Sequence, residues 1–330
     1  MGESQLEIVQ KDREEIKAIL SGQDKRMLVI VGPCSAWPSE AVIEYAKRLK
    51  TLSDQLSDKL KIVLRVYIQK PRTTIGWAGP GTQPDPFSQP DLEAGHAYAT
   101  ELMQQVLEIG LPIADESLYL QNANGFLSMI SWLAVGARST ENQEHRIFAS
   151  HVDCPVGMKN PTSGSVDIGI NSVIAAQHSH TTVDTAPAST KRQVQTTGNS
   201  YAHLVLRGGI NGPNYGLHNL LKARHALLEN DIKNPSLIID ASHDNCRANG
   251  RKYPELQTDV VREVMNSLSL HPELRDVVKG FMLESFLKNG SQKITNQNAQ
   301  TIDRGGLSIT DPCLGWEQTE SLLRDLYSQL

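Results

Sequence analysis

Aromatic residues make up only 5% of the 330-residue chain. Nowhere does it hold the about 20 consecutive apolar residues that a membrane-crossing helix requires. Basic charge is also short, with 32 Lys plus Arg against 37 Asp plus Glu and a formal charge of −5. That balance supplies no global field for nucleic acid or anionic lipid, so any anion site must be local. Cysteine is sparse too: Cys34, Cys154, Cys246 and Cys313 are scattered, and no CxxC pair suggests a zinc ribbon. Reduced thiols are expected rather than a disulfide framework. The opening "MGESQLEIVQKDREE" is acidic and polar where a signal peptide would be basic and then apolar, and Leu6 breaks the myristoylation pattern. The expectation is a cytoplasmic protein with neither a nucleic-acid nor a membrane partner.

What the chain does have is alternation. Short β-branched runs recur at 27–31, 62–68, 111–115, 132–137, 154–158, 203–207, 236–240 and 280–284. Helical patterns fall between them at 39–53, 91–109, 165–177, 216–229, 256–268 and 316–329, with Asp91 and Gly110 placed to cap the second. No linker or low-complexity tract interrupts the series. Eight strands each followed by a helix predict an α/β protein, a (β/α)8 TIM barrel, with an open doubly wound sheet as the alternative. The expected organisation is one barrel domain over 1–330 with two additions. Residues 1–26 form an N-terminal helical extension whose Leu6, Val9, Ile16, Ile19 and Leu20 share a face. Residues 179–201 form a β-hairpin inserted between strands five and six.

In such a barrel the chemistry lies at the C-terminal strand ends. The residues there are Cys34, Arg65, Lys70, Glu116, Arg138, Lys159, Arg207, His243 and Glu284, with Asp311 in the following loop. Any one of them has an ordinary reading as a surface charge, a satisfied core histidine or a packed thiol. Together they do not, because five cations converging on one mouth repel unless anions occupy it. Arg65, Lys70, Arg138, Lys159 and Arg207 therefore predict a pocket for a polyanionic small molecule. Cys34, His243 and Glu284 come from strands one, seven and eight, neighbours around a closed barrel, and Asp311 can reach them. One thiolate, one imidazole and two carboxylates suit an exchangeable divalent ion, such as Mn2+, Fe2+, Co2+ or Zn2+. Two other readings stay open: Cys34 as packed core beside a hydrogen-bonded His243, and Cys34 as a nucleophile activated by His243.

The motifs "GPCS" (32–35), "RVYIQKPRTTIGW" (65–77), "GARSTENQEHR" (136–146), "CPVGMKN" (154–160), "LRGG" (206–209), "IDASH" (239–243), "MLES" (282–285) and "SITDPCLGW" (308–316) are specific in combination. Over about residues 15–330 the chain resembles the type I 3-deoxy-D-arabino-heptulosonate-7-phosphate (DAHP) synthases. The resemblance implies a (β/α)8 barrel, forming a homodimer or homotetramer, that joins phosphoenolpyruvate to erythrose 4-phosphate and releases phosphate, the first step of the shikimate pathway to the aromatic amino acids. It implies that Cys34, His243, Glu284 and Asp311 hold the divalent metal, and that Arg65, Lys70, Arg138, Lys159 and Arg207 hold phosphoenolpyruvate. Arg72 and Thr73 would hold the aldose phosphate, and Glu116 would lie near the reacting carbon. Lys70, Arg138, Lys159, His243 and Glu116 are the expected catalytic groups.

Several loops depart from the family pattern. "GWAGPGTQPDPFSQPD" (76–91) has Ala78 in place of the usual lysine, "KNPTSG" (159–164) has Pro161 in place of glycine, "ESFLKNGSQ" replaces a typical "ESHLVEGNQ", and "SHDNCRANGRKY" carries extra residues after the histidine. These changes leave room for another aldose phosphate, such as arabinose 5-phosphate, and for a non-enzymatic barrel kept for binding. Feedback-regulated members use a longer N-terminal arm and the hairpin after strand five to bind an aromatic amino acid. Asp153 and Thr182 stand where an apolar or small residue would line that site. Weak or absent inhibition by phenylalanine or tyrosine is expected, as would suit a secondary-metabolite pathway fed by shikimate.

Overall fold

Successive residues of a strand face opposite sides, so a strand buried on both faces divides its apolar residues between two cores. In the computed structural model, which describes residues 3–72, 76–117, 125–184, 192–295 and 297–330, that division is complete. Leu28, Ile30, Val63, Ala114, Trp132, Ala134, Val205, Ile238 and Met282 belong to one cluster. Their strand neighbours Val29, Val31, Ile62, Leu64, Ile113, Leu133, Leu204, Leu237, Ile239 and Phe281 belong to a second, which the helices cover. The strands are β1 (Met27–Gly32), β2 (Leu60–Arg65), β3 (Ile113–Ser117), β4 (Trp132–Val135), β5 (Val156–Lys159), β8 (His203–Leu206), β9 (Leu237–Asp240) and β12 (Val278–Glu284). All pair in parallel, in that order, and β12 returns to β1 to close the barrel.

Helices α1 (Glu3–Leu20), α2 (Ser39–Gln55), α3 (Leu92–Ile109), α4 (Gln143–His151), α5 (Val166–Gln177), α6 (Leu217–Glu229), α7 (Leu256–Leu270) and α8 (Trp316–Gln329) lie between or before the strands. Asp91 accepts a hydrogen bond from the Ala94 N–H at the start of α3, and Gly110 closes it with φ 90°. Two local expectations are corrected. α4 had no sequence signal, because its nine residues carry few apolar side chains and it is announced only by the Asn142 cap. The segment directly after β3 lies outside the described residues, and a 3-10 turn, Leu127–Met129, precedes β4. Strand two also ends at Arg65 rather than 68, because the backbone beyond it leaves the ladder for the loop that carries Lys70.

α1 comes before β1, where a helical extension was expected, and its Ile16, Ile19 and Leu20 join the inner cluster. Leu6 does not share their burial: it is 45% exposed. Where the inserted hairpin was expected, β6 (Thr181–Asp184) pairs antiparallel with β7 (Arg192–Gln195). A second hairpin, β10 (Arg247–Ala248) with β11 (Arg251–Lys252), follows β9. Among the described residues, no helix is long and apolar enough to cross a membrane.

In the inner core an indole ring meets an ionisable imidazole, Trp132 with His203. Trp132 Nε1–H donates to His203 Nε2 at 3.1 Å, and His203 Nδ1 donates to the Tyr201 carbonyl at 2.9 Å. One ring nitrogen accepts and the other donates, which is the neutral tautomer. Burial pushes the His203 pKa down to about 4, against the opposing backbone hydrogen bond to Tyr201. Between that value and the ordinary histidine range the unfolded chain binds the extra proton, so stability falls as pH drops through this window. His203→Gln is expected to flatten the pH dependence of unfolding free energy between pH 6.5 and pH 4 by about 3 kcal/mol, measured by urea denaturation across that range.

Candidate active site at the barrel mouth

The inward positions that are apolar at the base of the barrel turn polar at its C-terminal end. Two residues beyond Val63, Ala114, Gly157, Val205, Ile238 and Met282 stand Arg65, Glu116, Lys159, Arg207, Asp240 and Glu284. Barrel closure puts these side chains around a cavity of about 320 Å3, which Arg65, Lys70, Arg72, Glu116, Arg138, Lys159, Arg207, His243 and Asp311 all line. Thr73, expected beside Arg72, lies outside the described residues. Every other residue expected in the site lines this cavity except Cys34 and Glu284, which are buried beneath it.

The converging cations are partly neutralised from within the protein. Arg65 Nη2 donates to Glu284 Oε1 at 3.0 Å with both side chains fully buried. Lys159 Nζ lies 3.4 Å from both Glu116 and Asp240, and Arg207 is hydrogen-bonded to Asp244. The expectation that only bound anions could relieve the repulsion therefore needs correction: carboxylates of the protein do part of that work. Neutralisation is incomplete. The cavity wall carries Arg65, Lys70, Arg72, Arg138, Lys159, Arg207, Arg247 and Lys252 against the carboxylates Glu116, Asp244 and Asp311. Nε and Nη1 of Arg65 are buried without a hydrogen-bond partner. A buried guanidinium with two unused nitrogens on a cavity wall is a donor set for a ligand oxygen.

Around Glu284 a second group assembles. Ligand atoms of Cys34, Glu284 and Asp311 all lie within 4.8 Å of one another. His243, the fourth expected ligand, falls outside that group. Its Nε2 is 3.7 Å from Glu284 Oε1 and its Nδ1 is 2.8 Å from Asp240 Oδ2, the latter at an angle poor for hydrogen bonding. The backbone at His243 holds φ at 55°, a left-handed conformation unusual for a non-glycine residue. Glu284 is fixed further by the Ser242 hydroxyl at 2.7 Å and by Gln257, which bonds both its N–H and its carbonyl.

Charges set the protonation of these groups. Burial would raise the Glu284 carboxyl, but His243, Arg65, Lys70 and Lys252 together hold it well below its usual range. Burial pushes the Cys34 thiol up and Glu284 adds to the shift, while Lys70 opposes it from 2.9 Å. Burial alone would lower Lys70, yet Cys34, Glu284 and Asp311 keep its ammonium charged. Since Cys34 meets Lys70 and both His243 nitrogens turn to carboxylates, the Cys–His nucleophile pair left open by the sequence is not formed.

Sequence reasoning missed Tyr67, Arg247 and Lys252. The Tyr67 ring lies under the Arg65 guanidinium, 4.1 Å from its centroid. Arg247 and Lys252 reach the mouth on the β10–β11 hairpin, and the Asn249-Gly250 turn within "RANGRK" was the available signal. The proline-rich loop 76–91 packs on itself and on a small apolar cluster, with Trp77 Nε1 donating to the Gln83 carbonyl and Trp37 Nε1 to that of Pro84. Ala78, at the family's lysine position, contributes its carbonyl to the Lys70 N–H at 2.9 Å.

Fold and mouth together define a (β/α)8 barrel whose mouth carries an excess of cations beside a cluster of metal-ligand type. The sequence model of the DAHP synthetase I family matches residues 6–324. A phospho-2-dehydro-3-deoxyheptonate aldolase described as Trp-sensitive, from Escherichia coli strain K12, is 40% identical over 97% of this chain and 88% of its own. One described as Tyr-sensitive, from Salmonella typhimurium, is 36% identical over 98% and 87%. The solved phospho-2-dehydro-3-deoxyheptonate aldolase of Francisella tularensis SCHU S4 superposes with a TM-score of 0.91 at 33% identity, covering 99% of this chain and 92% of that one. The chain belongs to the DAHP synthetase I family and is an enzyme of the 3-deoxy-7-phosphoheptulonate synthase type.

Gly136 lies at the inward position where β4 leaves the barrel, and a Cβ there would stand 2.4 Å from Glu116 Oε1. Gly136→Ala must displace that carboxylate from Lys159 while leaving the barrel closed. The expected outcome is a loss of turnover of about 100-fold with little change in the thermal unfolding midpoint, read by steady-state kinetics and differential scanning fluorimetry.

Proposed function

We propose that the chain condenses phosphoenolpyruvate with D-erythrose 4-phosphate and water, giving 3-deoxy-D-arabino-heptulosonate 7-phosphate and phosphate. The observation that carries the reading is the buried Arg65, with two unused guanidinium nitrogens, beside the Cys34–Glu284–Asp311 group. One substrate must be anchored by its negative charge and the other activated at a carbonyl, and the mouth offers a separate set of groups for each.

Arg65, Arg138, Lys159 and Arg207 bind the carboxylate and phosphate of phosphoenolpyruvate, and Arg72 binds the aldose phosphate. Arg72 is aimed by its Nε bond to the Trp77 carbonyl at 2.7 Å. The donor set fits a metal ion: one soft sulfur and two carboxylates, one of them held ionised by its neighbours. Cys34, Glu284 and Asp311 would hold Mn2+, Fe2+, Co2+ or Zn2+, with His243 completing the set, and the bound ion would polarise the aldehyde as a Lewis acid. Carbon 3 of phosphoenolpyruvate bonds to the aldehyde carbon, and the water that adds to carbon 2 gives up the proton that the aldehyde oxygen takes. The bond from carbon 2 to the phosphate oxygen then breaks as the new carbon 2 hydroxyl becomes the ketone and passes its proton to the departing phosphate. Lys159 and Arg207 balance the charge of the departing phosphate. Lys70, held protonated by its anionic neighbours, serves as a fixed charge at the aldehyde side. Glu116, next to Lys159 and held ionised chiefly by it against the effect of burial, is placed to orient the water.

This assigns the chain to the first step of the shikimate pathway, in the cytoplasm, as a homodimer or homotetramer with no nucleic-acid or membrane partner. The test is phosphate release from phosphoenolpyruvate across a panel of aldose phosphates, with and without a chelator. Erythrose 4-phosphate is expected to exceed arabinose 5-phosphate by at least about tenfold in kcat/KM, and chelation is expected to abolish turnover until a divalent ion is restored. Faster release with arabinose 5-phosphate would reassign the second substrate. No release with any aldose would favour a binding protein, and turnover insensitive to chelation would remove the metal role of Cys34.

The same assay tests regulation. Asp153 is held by Arg13 and Lys17, each at 3.4 Å, which ties α1 to the segment before β5 and leaves a charge where an aromatic effector would need an apolar wall. Phenylalanine and tyrosine are expected to leave the rate nearly unchanged. Half-inhibition by either at low micromolar concentration would overturn this.

A further inference from the structure

Four of the site's carboxylates have work below or beside the reacting groups. Glu284 and Asp311 belong to the metal-type cluster, while Glu116 and Asp240 flank Lys159. Asp244 does not fit either set. It stands on the lip of the cavity and spends both its oxygens on cations of the wall: Oδ2 accepts from Arg207 Nη1, and Oδ1 accepts from Arg247 Nε at 2.8 Å. A carboxylate shared in this way between two guanidinium groups holds them as a bridging phosphate would hold them.

Two further observations bear on that arrangement. Arg207 is anchored from behind: its N–H donates to Asn160 Oδ1 at 2.9 Å, and the Asp244 N–H donates to the Arg207 carbonyl at 3.2 Å. The base of the arginine is therefore fixed, and Asp244 reaches both guanidinium groups through its side-chain carboxylate alone. In addition, the cavity continues sideways at this point into a groove lined by Thr162, Ser163, Gly209, Ile210, Asp244 and Arg247. Thr162, Asp244 and Arg247 line both spaces, so Asp244 stands at their junction.

We propose that Asp244 is a displaceable internal anion, which occupies the Arg207–Arg247 pair when the site is empty and yields it to the phosphate group of the substrate. The proposal rests on the reading of Arg207 as a phosphate anchor. It adds Arg247 to that anchor as a second guanidinium and makes the groove the space into which Asp244 swings. The carboxylate prevents the two cations from separating in the empty enzyme. Once phosphate is bound, the same negative charge stands close by and lowers its affinity, which favours departure of the inorganic phosphate after the carbon–oxygen bond has broken.

The test uses inorganic phosphate itself as the probe, titrated into the purified full chain by calorimetry, so that no turnover is needed. Asp244→Asn keeps the shape and removes the charge, and is expected to bind phosphate about tenfold more tightly than the parent. Adding Arg247→Ala to that variant is expected to remove most of the gain. Unchanged or weaker binding by Asp244→Asn would overturn the proposal, as would an undiminished gain in the double variant. A crystal structure of the unaltered chain with phosphate gives an answer even should the variants fail to fold: the Asp244–Arg207 bond is expected to be open, and phosphate seated with that bond intact would refute the displacement. The phosphoenolpyruvate assay stands apart from these measurements. Its failure with a tenfold tighter Asp244→Asn would sink the proposed reaction and leave the displaceable anion standing.

Discussion

Closing eight parallel strands into a barrel forces their C-terminal ends to share one small volume, and the charges on those ends must reach an electrostatic compromise there. Every other feature of the mouth follows from this constraint. Arg65 and Glu284 stand on β2 and β12, the two neighbours of β1, and they meet across it at 3.0 Å with both side chains fully buried. A pair buried so deeply is costly to leave half-made, since removing either partner strands a charge in a low-dielectric interior. Between them runs Gly32, at φ 155°, where a Cβ would come within 2.9 Å of the Arg65 backbone. The glycine of the "GPCS" motif thus lets β1 pass close to β2 and sets Cys34 beside Lys70.

The compromise is deliberately unequal. Carboxylates pair with Arg65, Lys159 and Arg207, yet cations still outnumber carboxylates around the cavity. Full neutrality would leave nothing to attract an anionic substrate, and a bare ring of cations would drive the strand ends apart. An intermediate balance holds the empty barrel together and leaves unused donors on Arg65. The cluster of Cys34, Glu284 and Asp311 obeys the same logic with signs reversed: its carboxylates are held in place by Arg65 and Lys252, while Lys70 donates to the Cys34 sulfur.

Much of this was legible before any coordinates. Eight apolar runs announced eight strands because a strand buried on both faces must be apolar on both, and the polar residue following each run announced the mouth. What escaped notice has a common cause. α4 draws its stability from packing and an Asn142 cap rather than from an apolar stripe of its own. Arg247 and Lys252 sit on a two-residue hairpin after β9, where no strand end points to them. Leu6 shares a helical face with Val9 and Ile16 in the sequence, yet it is 45% exposed where those two are buried, a difference that helical periodicity does not encode.

The chain's order of residue types determined the number of strands, their two-sided burial, and which residues gather at the catalytic end, because strand parity and parallel closure leave no other placement for them. Only the tertiary structure decided which charge meets which. It paired Arg65 with Glu284 across β1, gave Cys34 to Lys70 rather than to His243, and set Asp244 between two guanidinium groups. The physical reason is that periodicity along a chain fixes which face a side chain occupies. The partner it finds depends on distances of a few ångströms between segments far apart in sequence, which exist only once the barrel has closed.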